Sequence, residues 1–358
     1  MVGDVTLMGR PKVSVVIPTY KRGRLLSHVF EGLKNQSFSD FEVIVILRPS
    51  DDCTKDVIAE HSKSLGIKLF LQYKGHFTDA LNIGLQNASG EILLFLDDDA
   101  IPFRDLIQNH VELYTDVDVG GVAGDVIPVR LSENNPLIGE QASEIIPEFE
   151  PFLEKTGLKL WYCPIPGLET SLVYLSKAGN VEYNAAVGCY AKRQTTKSLL
   201  GMGANMSVLA KSVKDFSFSE SWMLGLGNEQ FMAWHIWKKG HKLLFNPNAK
   251  VYHIAHGQTL SRDIVDRQKE ILRWAEYSLF FYRLYGLERN LSKMHRIVWF
   301  AFSTFCCLKN LVVEKDFSEV AKLEGNVLGN IIGLKWLLYR TLGLNYNPIH
   351  DLESIIKK

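Results

Sequence analysis

The apolar positions in the first hundred residues follow two alternating rhythms. Continuous aliphatic runs, "VSVVI" (13–17), "FEVIVIL" (41–47), "IKLFLQ" (67–72) and "EILLFL" (91–96), predict strands, the most β-branched of them buried on both faces. Between them lie segments of helical spacing. "LLSHVFEGLKNQ" (25–36) places Leu26, Val29, Phe30 and Leu33 on one face. "TKDVIAEHSKSLG" (54–66) predicts a helix capped by Thr54 and closed by Gly66, and "TDALNIGLQNA" (78–88) predicts a third. This βαβαβαβ order predicts an α/β fold whose central sheet is mostly parallel, with right-handed crossovers. In such sheets ligands collect beyond the carboxyl ends of the strands.

The rhythm then changes twice. From about 130 to 200, Pro136, Pro147, Pro151, Pro164 and Pro166 interrupt it, which predicts loops, short strands and a mobile lid. From about 262 to 340 the chain reads as helical and aromatic. There Ile297 to Leu308 is 12 residues without a charge, short of the roughly 20 that span a bilayer. Two readings stay open for it: a buried core helix, or attachment at a membrane interface.

Composition narrows the class. The 358 residues carry 40 basic and 40 acidic side chains, a balance that argues against a nucleic-acid partner. Length implies one large domain plus an appendage, or two domains. Cys53, Cys163, Cys189, Cys306 and Cys307 lack the paired spacing of a zinc or redox site and read as reduced, mostly buried thiols. The first twelve residues, "MVGDVTLMGRPK", have no apolar core of signal-peptide length, so a cytoplasmic location is expected.

The chemistry concentrates where "EILLFL" runs into Asp97, Asp98 and Asp99. Such residues can simply cap a following helix, here starting near Pro102. Yet three adjacent carboxylates repel one another unless a cation relieves them. A hard divalent ion, Mg²⁺ or Mn²⁺, takes carboxylate oxygens and shares its shell with substrate phosphates. Pro18, Thr19 and Tyr20 stand at a second strand exit.

"VSVVIPTYKR" (13–22), "GEILLFLDDDAIP" (90–102), "GANMSVLAKSV" (203–213) and "GNEQFMAWHIWKKGHKLLFNPNAKVYH" (227–253) together resemble glycosyltransferase family 2, in the order that family has them. The resemblance covers roughly residues 12 to 256. It implies the GT-A, Rossmann-like fold and inverting transfer from a nucleotide-diphosphate sugar. A catalytic domain would occupy 1–261, with a donor half at about 12–125 and an acceptor half at about 126–261, followed by a helical region at 262–358. By resemblance, Asp99 is the prime metal ligand, with Asp97 and Asp98 serving ribose or the metal's outer shell. His253 completes the metal or diphosphate site, with His256 as the nearby alternative. Pro18, Thr19 and Tyr20 pack beside the nucleotide. Glu229 falls on the catalytic base and Asn228 on the acidic residue before it, while Trp222 offers an acceptor platform.

Two departures stand out. Aligning Ser50 with the serine of the family's "DDGS"-like turn puts Leu47 where an aspartate reads uracil, and leucine cannot accept a hydrogen bond. Arg48 could instead reach a phosphate or another base edge, and Asp51 or Asp52 could substitute. In "YKGHFTDALNIG" (73–84) a leucine precedes Asn82 where the family often has a basic residue; Asn82 remains a donor contact, and Asp79 either touches donor or caps the helix. The apolar C-terminal segments, flanked by Lys309, Lys335 and Arg340, suit a lipid-linked glycan acceptor and peripheral contact with the cytoplasmic membrane face. A non-catalytic sugar-nucleotide-binding subunit and a sugar nucleotidyltransferase are the rival readings. A dinucleotide oxidoreductase is excluded, because no GxGxxG follows the first strand.

Overall fold

The computed structural model describes residues 11–129, 163–201, 203–218, 225–254, 266–315 and 318–356. Its first part alternates β1 (Val13–Thr19), α1 (Gly23–Lys34), β2 (Phe41–Leu47), α2 (Thr54–Leu65), β3 (Lys68–Leu71), α3 (Phe77–Asn87) and β4 (Ile92–Leu96). These strands pair in parallel in the order β3-β2-β1-β4. Then follow β5 (Ala100–Pro102), α4 (Leu106–Leu113), β6 (Val119–Val129), a hairpin of β7 (Val173–Leu175) and β8 (Val181–Tyr183), α5 (Ala185–Ala191), β9 (Thr196–Lys197) and β10 (Asn205–Leu209). Last come α6 (Asn228–Lys238), β11 (Lys242–Ile254), α7 (Asp266–Tyr285), α8 (Lys293–Lys309), α9 (Ser318–Thr341) and α10 (Pro348–Ile356).

The sheet continues from β4 through β10, β6 and β11 to β5. β10 is antiparallel to both β4 and β6, and β11 is parallel to β6. β1, β2, β3, β4, β6 and β11 therefore share one direction, and the sheet is mostly parallel as expected. Alternate residues fill its two faces. Val15, Ile17, Val43, Val45 and Leu94 pack under α1, α2 and α4, whereas Val16, Ile44, Ile46 and Phe95 pack against α3, α6 and α7. Leu272, Ala275, Leu279 and Phe280 of α7 belong to that second core, so the C-terminal helices are fastened to the sheet.

Several local expectations are corrected. β1 runs through Pro18 to Thr19; its pairing with β4 ends at Val16, so a proline there interrupts no ladder with β4. Cys53, not Thr54, is the N-cap of α2, because the Thr54 hydroxyl donates to Asp52 and accepts from the Arg22 amide. Gly66 does close α2 in the left-handed region, at φ 60°. The acidic triplet caps no helix near Pro102. It turns directly into β5, which pairs antiparallel with β11, and the helix starts only at Leu106. Of the cysteines only Cys307 is buried; Cys53 and Cys189 are exposed. Finally, α8 is not a core helix, since only 11% of its most apolar window is buried. Pro136, Pro147 and Pro151, on the expected lid, lie outside the described residues.

Candidate active site

The site begins with the exit of β4. The Ala100 amide donates to the Asp97 carbonyl at 3.1 Å, a tight turn that keeps all three aspartates at the strand's end. β5 then lies along β11 with His253 opposite Ala100, and the Ile254 amide donates to the Asp99 carbonyl at 3.0 Å. This pairing brings a histidine more than 150 positions away in sequence against the acidic triplet. His253 Nε2 sits 3.1 Å from Asp99 Oδ1 and 3.9 Å from Asp97 Oδ2. One ligand atom from each of Asp97, Asp99 and His253 lies within 4.8 Å of the others.

The exit of β1 supplies the opposite wall. Thr19 Oγ1 donates to Asp98 Oδ2 at 2.7 Å. Lys21 takes a left-handed φ of 55°, which swings the chain so that the buried Arg22 guanidinium meets Asp99 Oδ2 at 3.1 Å. Asp52 organises this turn. It accepts from Ser50, from Thr54 and from the Gly23 amide, and those hydrogen bonds outweigh its burial and hold its pKa below the usual value. Gly23 is required there, because a Cβ would lie 2.6 Å from Cys53 Sγ.

Electrostatics explain why the cluster asks for a cation. Burial, reinforced by Asp99, raises Asp97 to about 6 and Asp98 to about 7. For His253, burial works against the imidazolium. Hydrogen bonding and charge from Asp99, with charge from Asp97, outweigh it and raise its pKa. Two hard carboxylate donors and an imidazole converging in a partly buried cluster fit a divalent cation.

Glu229 sits in the first turn of α6. Burial raises it to about 7, the charge of Asp97 adds to this, and a hydrogen bond from the Gly203 backbone opposes it. The acidic cluster thus feels the charge of Glu229, whose pKa is near neutral. Asn228, just before it, is buried.

The other predicted positions divide. Pro18, Thr19, Tyr20 and Arg48 cluster at the ends of β1 and β2, where the Tyr20 ring lies 5.1 Å from Lys21 Nζ and 5.5 Å from the Arg48 guanidinium. Asn82 is engaged elsewhere: its amide donates to the Phe218 carbonyl and its carbonyl accepts from the Phe218 amide, both at 2.9 Å. Asp79 reaches back to the His76 amide at 2.7 Å, which is helix capping. Trp222 and His256 lie outside the described residues. Sequence reasoning missed Arg22 and Gly203. Arg22 had a signal, a basic residue three positions past the first strand's last paired residue, but its burial against Asp99 is a product of the Lys21 turn.

The mostly parallel α/β sheet thus carries at its carboxyl edge an acidic cluster that could hold a cation. Residues 14–177, a little under half of the chain, match the model of Glycosyl transferase family 2. Among curated relatives, the GalNAc(5)-diNAcBac-PP-undecaprenol beta-1,3-glucosyltransferase of Campylobacter jejuni is 44% identical over 92 residues, 25% of this chain and 30% of that protein. A dolichyl N-acetyl-alpha-D-glucosaminyl phosphate 3-beta-D-2,3-diacetamido-2,3-dideoxy-beta-D-glucuronosyltransferase of Methanococcus voltae is 26% identical over 172 residues, 45% of this chain and 51% of that protein. The chain thus spans about a third to a half of these relatives' lengths. Of solved structures, a mannosyltransferase from Pyrobaculum calidifontis in complex with GDP-Man and Mn²⁺ is 15% identical at a TM-score of 0.49, covering 98% of this chain and 85% of that one.

Proposed function

We propose that this chain is an inverting glycosyltransferase that moves a sugar from a nucleotide-diphosphate donor to a hydroxyl of a glycan or lipid-linked glycan, at the cytoplasmic face of a membrane. The observation that carries the reading is the convergence of Asp97, Asp99 and His253, with Glu229, raised to about 7, within reach of the charge of Asp97. The relatives' names add support, since both specify polyprenyl-linked substrates. In this reading the donor half is about residues 12–125, the acceptor half about 126–261, and 262–358 is the membrane-facing region.

Asp97, Asp99 and His253 would hold Mg²⁺ or Mn²⁺, which when bound supplies positive charge against the departing diphosphate. The chain's own groups do the rest. Arg22 fixes one oxygen of Asp99 and leaves the other turned toward His253. Thr19 holds Asp98 by its hydroxyl. Tyr20, with Lys21 and Arg48 over its ring, forms a cationic aromatic ledge suited to the nucleotide. Glu229 accepts the acceptor's hydroxyl proton as that oxygen attacks the anomeric carbon from the face opposite the diphosphate. The new C–O bond forms as the bond to the diphosphate breaks, so a single displacement inverts the carbon.

Calorimetry with a panel of nucleoside diphosphates, with and without Mn²⁺, tests this. One diphosphate should bind at least tenfold tighter with Mn²⁺, and Asp99→Asn should erase the difference. Donor hydrolysis by the wild type, lost in Asp99→Asn, would separate an enzyme from a binding subunit. Absence of any metal effect on well-folded protein would overturn the reading.

A further inference from the structure

The C-terminal helices are packed inside out. On α9, Gly325, Gly329 and Gly333 recur every fourth residue and face α7. A Cβ on them would lie 2.2 Å from the Ile271 carbonyl oxygen, 2.4 Å from that of Ala275 and 2.1 Å from the Tyr282 ring. The two helices therefore touch along a glycine seam. Polar side chains bridge beside it. Ser278 Oγ donates to Asn326 Oδ1 at 2.7 Å, the Tyr282 hydroxyl to Asn330 Oδ1 at 2.9 Å, and Asn326 Nδ2 to Ser303 Oγ of α8 at 3.4 Å.

The large apolar residues point the other way. At 100° per residue, Ile331 lies opposite Gly329 and Gly333, and Leu334 and Leu338 extend its stripe. These three are 56%, 57% and 57% exposed. Along α8 and the π-helical turn after it (Asn310–Glu314), Ile297, Phe305 and Val312 are 62%, 61% and 74% exposed. The back of α8, through Val298, Trp299 and Phe302, packs around Ala178. In water, contiguous apolar stripes of this kind mark an interaction surface. Small residues and hydrogen-bonded amides at a helix seam, with large aliphatics outside, are how helices pack when their surroundings are lipid.

Charge and aromatic placement select the partner. The most apolar 18-residue stretch within Lys293–Val313 has a mean hydropathy of 1.4. Between Lys293 and Lys309 the one charged residue is Arg296, buried between the Phe281 and Trp299 rings at 5.1 and 4.3 Å. At the far end of α9, Arg340 lies over Trp336 at 5.3 Å, and Tyr346 meets Lys335 at 4.5 Å and Tyr339 at 5.2 Å. Apolar stripes bounded by lysine, arginine, tryptophan and tyrosine match the layering of a bilayer interface. Lys335 is paired with Asp351 at 2.8 Å, so the margin charge is carried by Lys293, Lys309 and Arg340, which a second copy of this chain would bring together.

We infer that the α8–α9 surface docks on a lipid bilayer, lying in its plane with the Ile297–Val312 and Ile331–Leu338 stripes in the acyl region of one leaflet. Neither helix crosses as a lone span, because α9 is seamed to α7 and α7 is anchored in the sheet core. The inference deepens the membrane placement proposed above and rests on that reading only for where the acceptor arrives.

Flotation of the full chain with vesicles tests it, using phosphatidylcholine alone and with about 30% phosphatidylglycerol to read the basic margins. The wild type should float with both, and more with the anionic vesicles. Leu334→Gln/Leu338→Gln should lower partitioning at least about tenfold, since two exposed leucines lose their transfer into hydrocarbon. Its melting temperature and its nucleotide binding in vesicle-free thermal shifts should stay unchanged. A wild type wholly in the soluble fraction would overturn the inference. So would a double variant that floats like the wild type, or a dimer in sedimentation that the same substitutions dissolve without vesicle binding by the wild type. Failure of the transferase reading would show separately, in the vesicle-free nucleotide shifts.

Discussion

The exits of β1 and β4 and the α8–α9 pair are opposites. In the first, large aliphatics are buried on both faces of the strands and charges crowd the ends, where burial raises their proton affinity. In the second, glycines and asparagines are inside and aliphatics are outside. Both follow from exclusion of water, but each is incomplete in a different way. The strand exits hold repelling carboxylates that a cation would reconcile. The helix pair hydrogen-bonds Ser303, Asn326 and Asn330 along its seam and turns its large aliphatics to the outside. One region implies a charged ligand, the other a second solvent.

The largest expected effect comes from breaking the first region. On the proposed mechanism Glu229→Gln keeps the shape of the side chain and removes the base, so sugar transfer should fall by about 10²–10⁴-fold with donor affinity retained. Asp99→Asn should cost activity on the same order and, unlike the base variant, should also remove the Mn²⁺ dependence of donor binding. Steady-state kinetics beside metal titrations separate the two. Equal loss of metal binding in both would mean that Glu229 belongs to the cation centre.

Breaking the second region should cost stability instead. A leucine at Gly329 would push a side chain into the Ala275 backbone, which cannot yield as a flexible side chain would, so a loss of about 3 kcal/mol is expected. Leu334→Gln, on the opposite face of the same helix, should change stability in water by no more than about 0.5 kcal/mol. Denaturant unfolding of both variants checks the inside-out reading directly. Near-equal values would mean that the glycine seam is not close-packed.

Much of the first region was legible in the sequence because its signals are local. Continuous apolar runs gave β1, β2 and β4, helical spacing gave α1 to α3, and the acidic triplet announced its own repulsion. What was not legible depended on pairing between distant segments. The triplet's turn into β5 depends on β11, which the local pattern around Pro102 does not contain. Asn82 looked like a donor contact, yet its amide matches the Phe218 main chain, 136 positions away. Arg22 needed the Lys21 turn to bring it under Asp99. The C-terminal helices were readable as apolar but not as inside out, since periodicity shows a stripe without saying whether core or solvent receives it.

Proton linkage sharpens the same contrast. Asp97 and Asp98 have folded-state values raised to about 6 and about 7. A raised carboxylate stabilises the fold when protonated, so that contribution is present at low pH and is lost as pH rises through about 6 to 7. The metal-free protein should therefore melt at a lower temperature at pH 8 than at pH 6, and Mn²⁺ at pH 8 should recover the difference. Gly329→Leu should lower both curves without changing their shape. In turnover, the near-neutral Glu229 predicts activity that climbs as pH passes about 7, a limb that Glu229→Gln should flatten.

The smallest expected effect lies at the ledge between β1 and β2. Leu47 is buried and has no acceptor to offer a base, and Asp52 is already tied to Ser50, Thr54 and the Gly23 amide. Arg48 is exposed, donates to the Gly75 carbonyl at 3.1 Å and lies over Tyr20. A cation in that setting contributes modestly, so Arg48→Ala should weaken nucleoside diphosphate binding by less than about tenfold. The informative quantity is how the loss is distributed. An arginine that reads a base edge through its fixed fork of donors should weaken one nucleotide more than the others, and that is the outcome expected from its place over the Tyr20 ring. Equal losses across a panel of bases would reassign Arg48 to phosphate and leave the choice of nucleotide to the shape of the ledge.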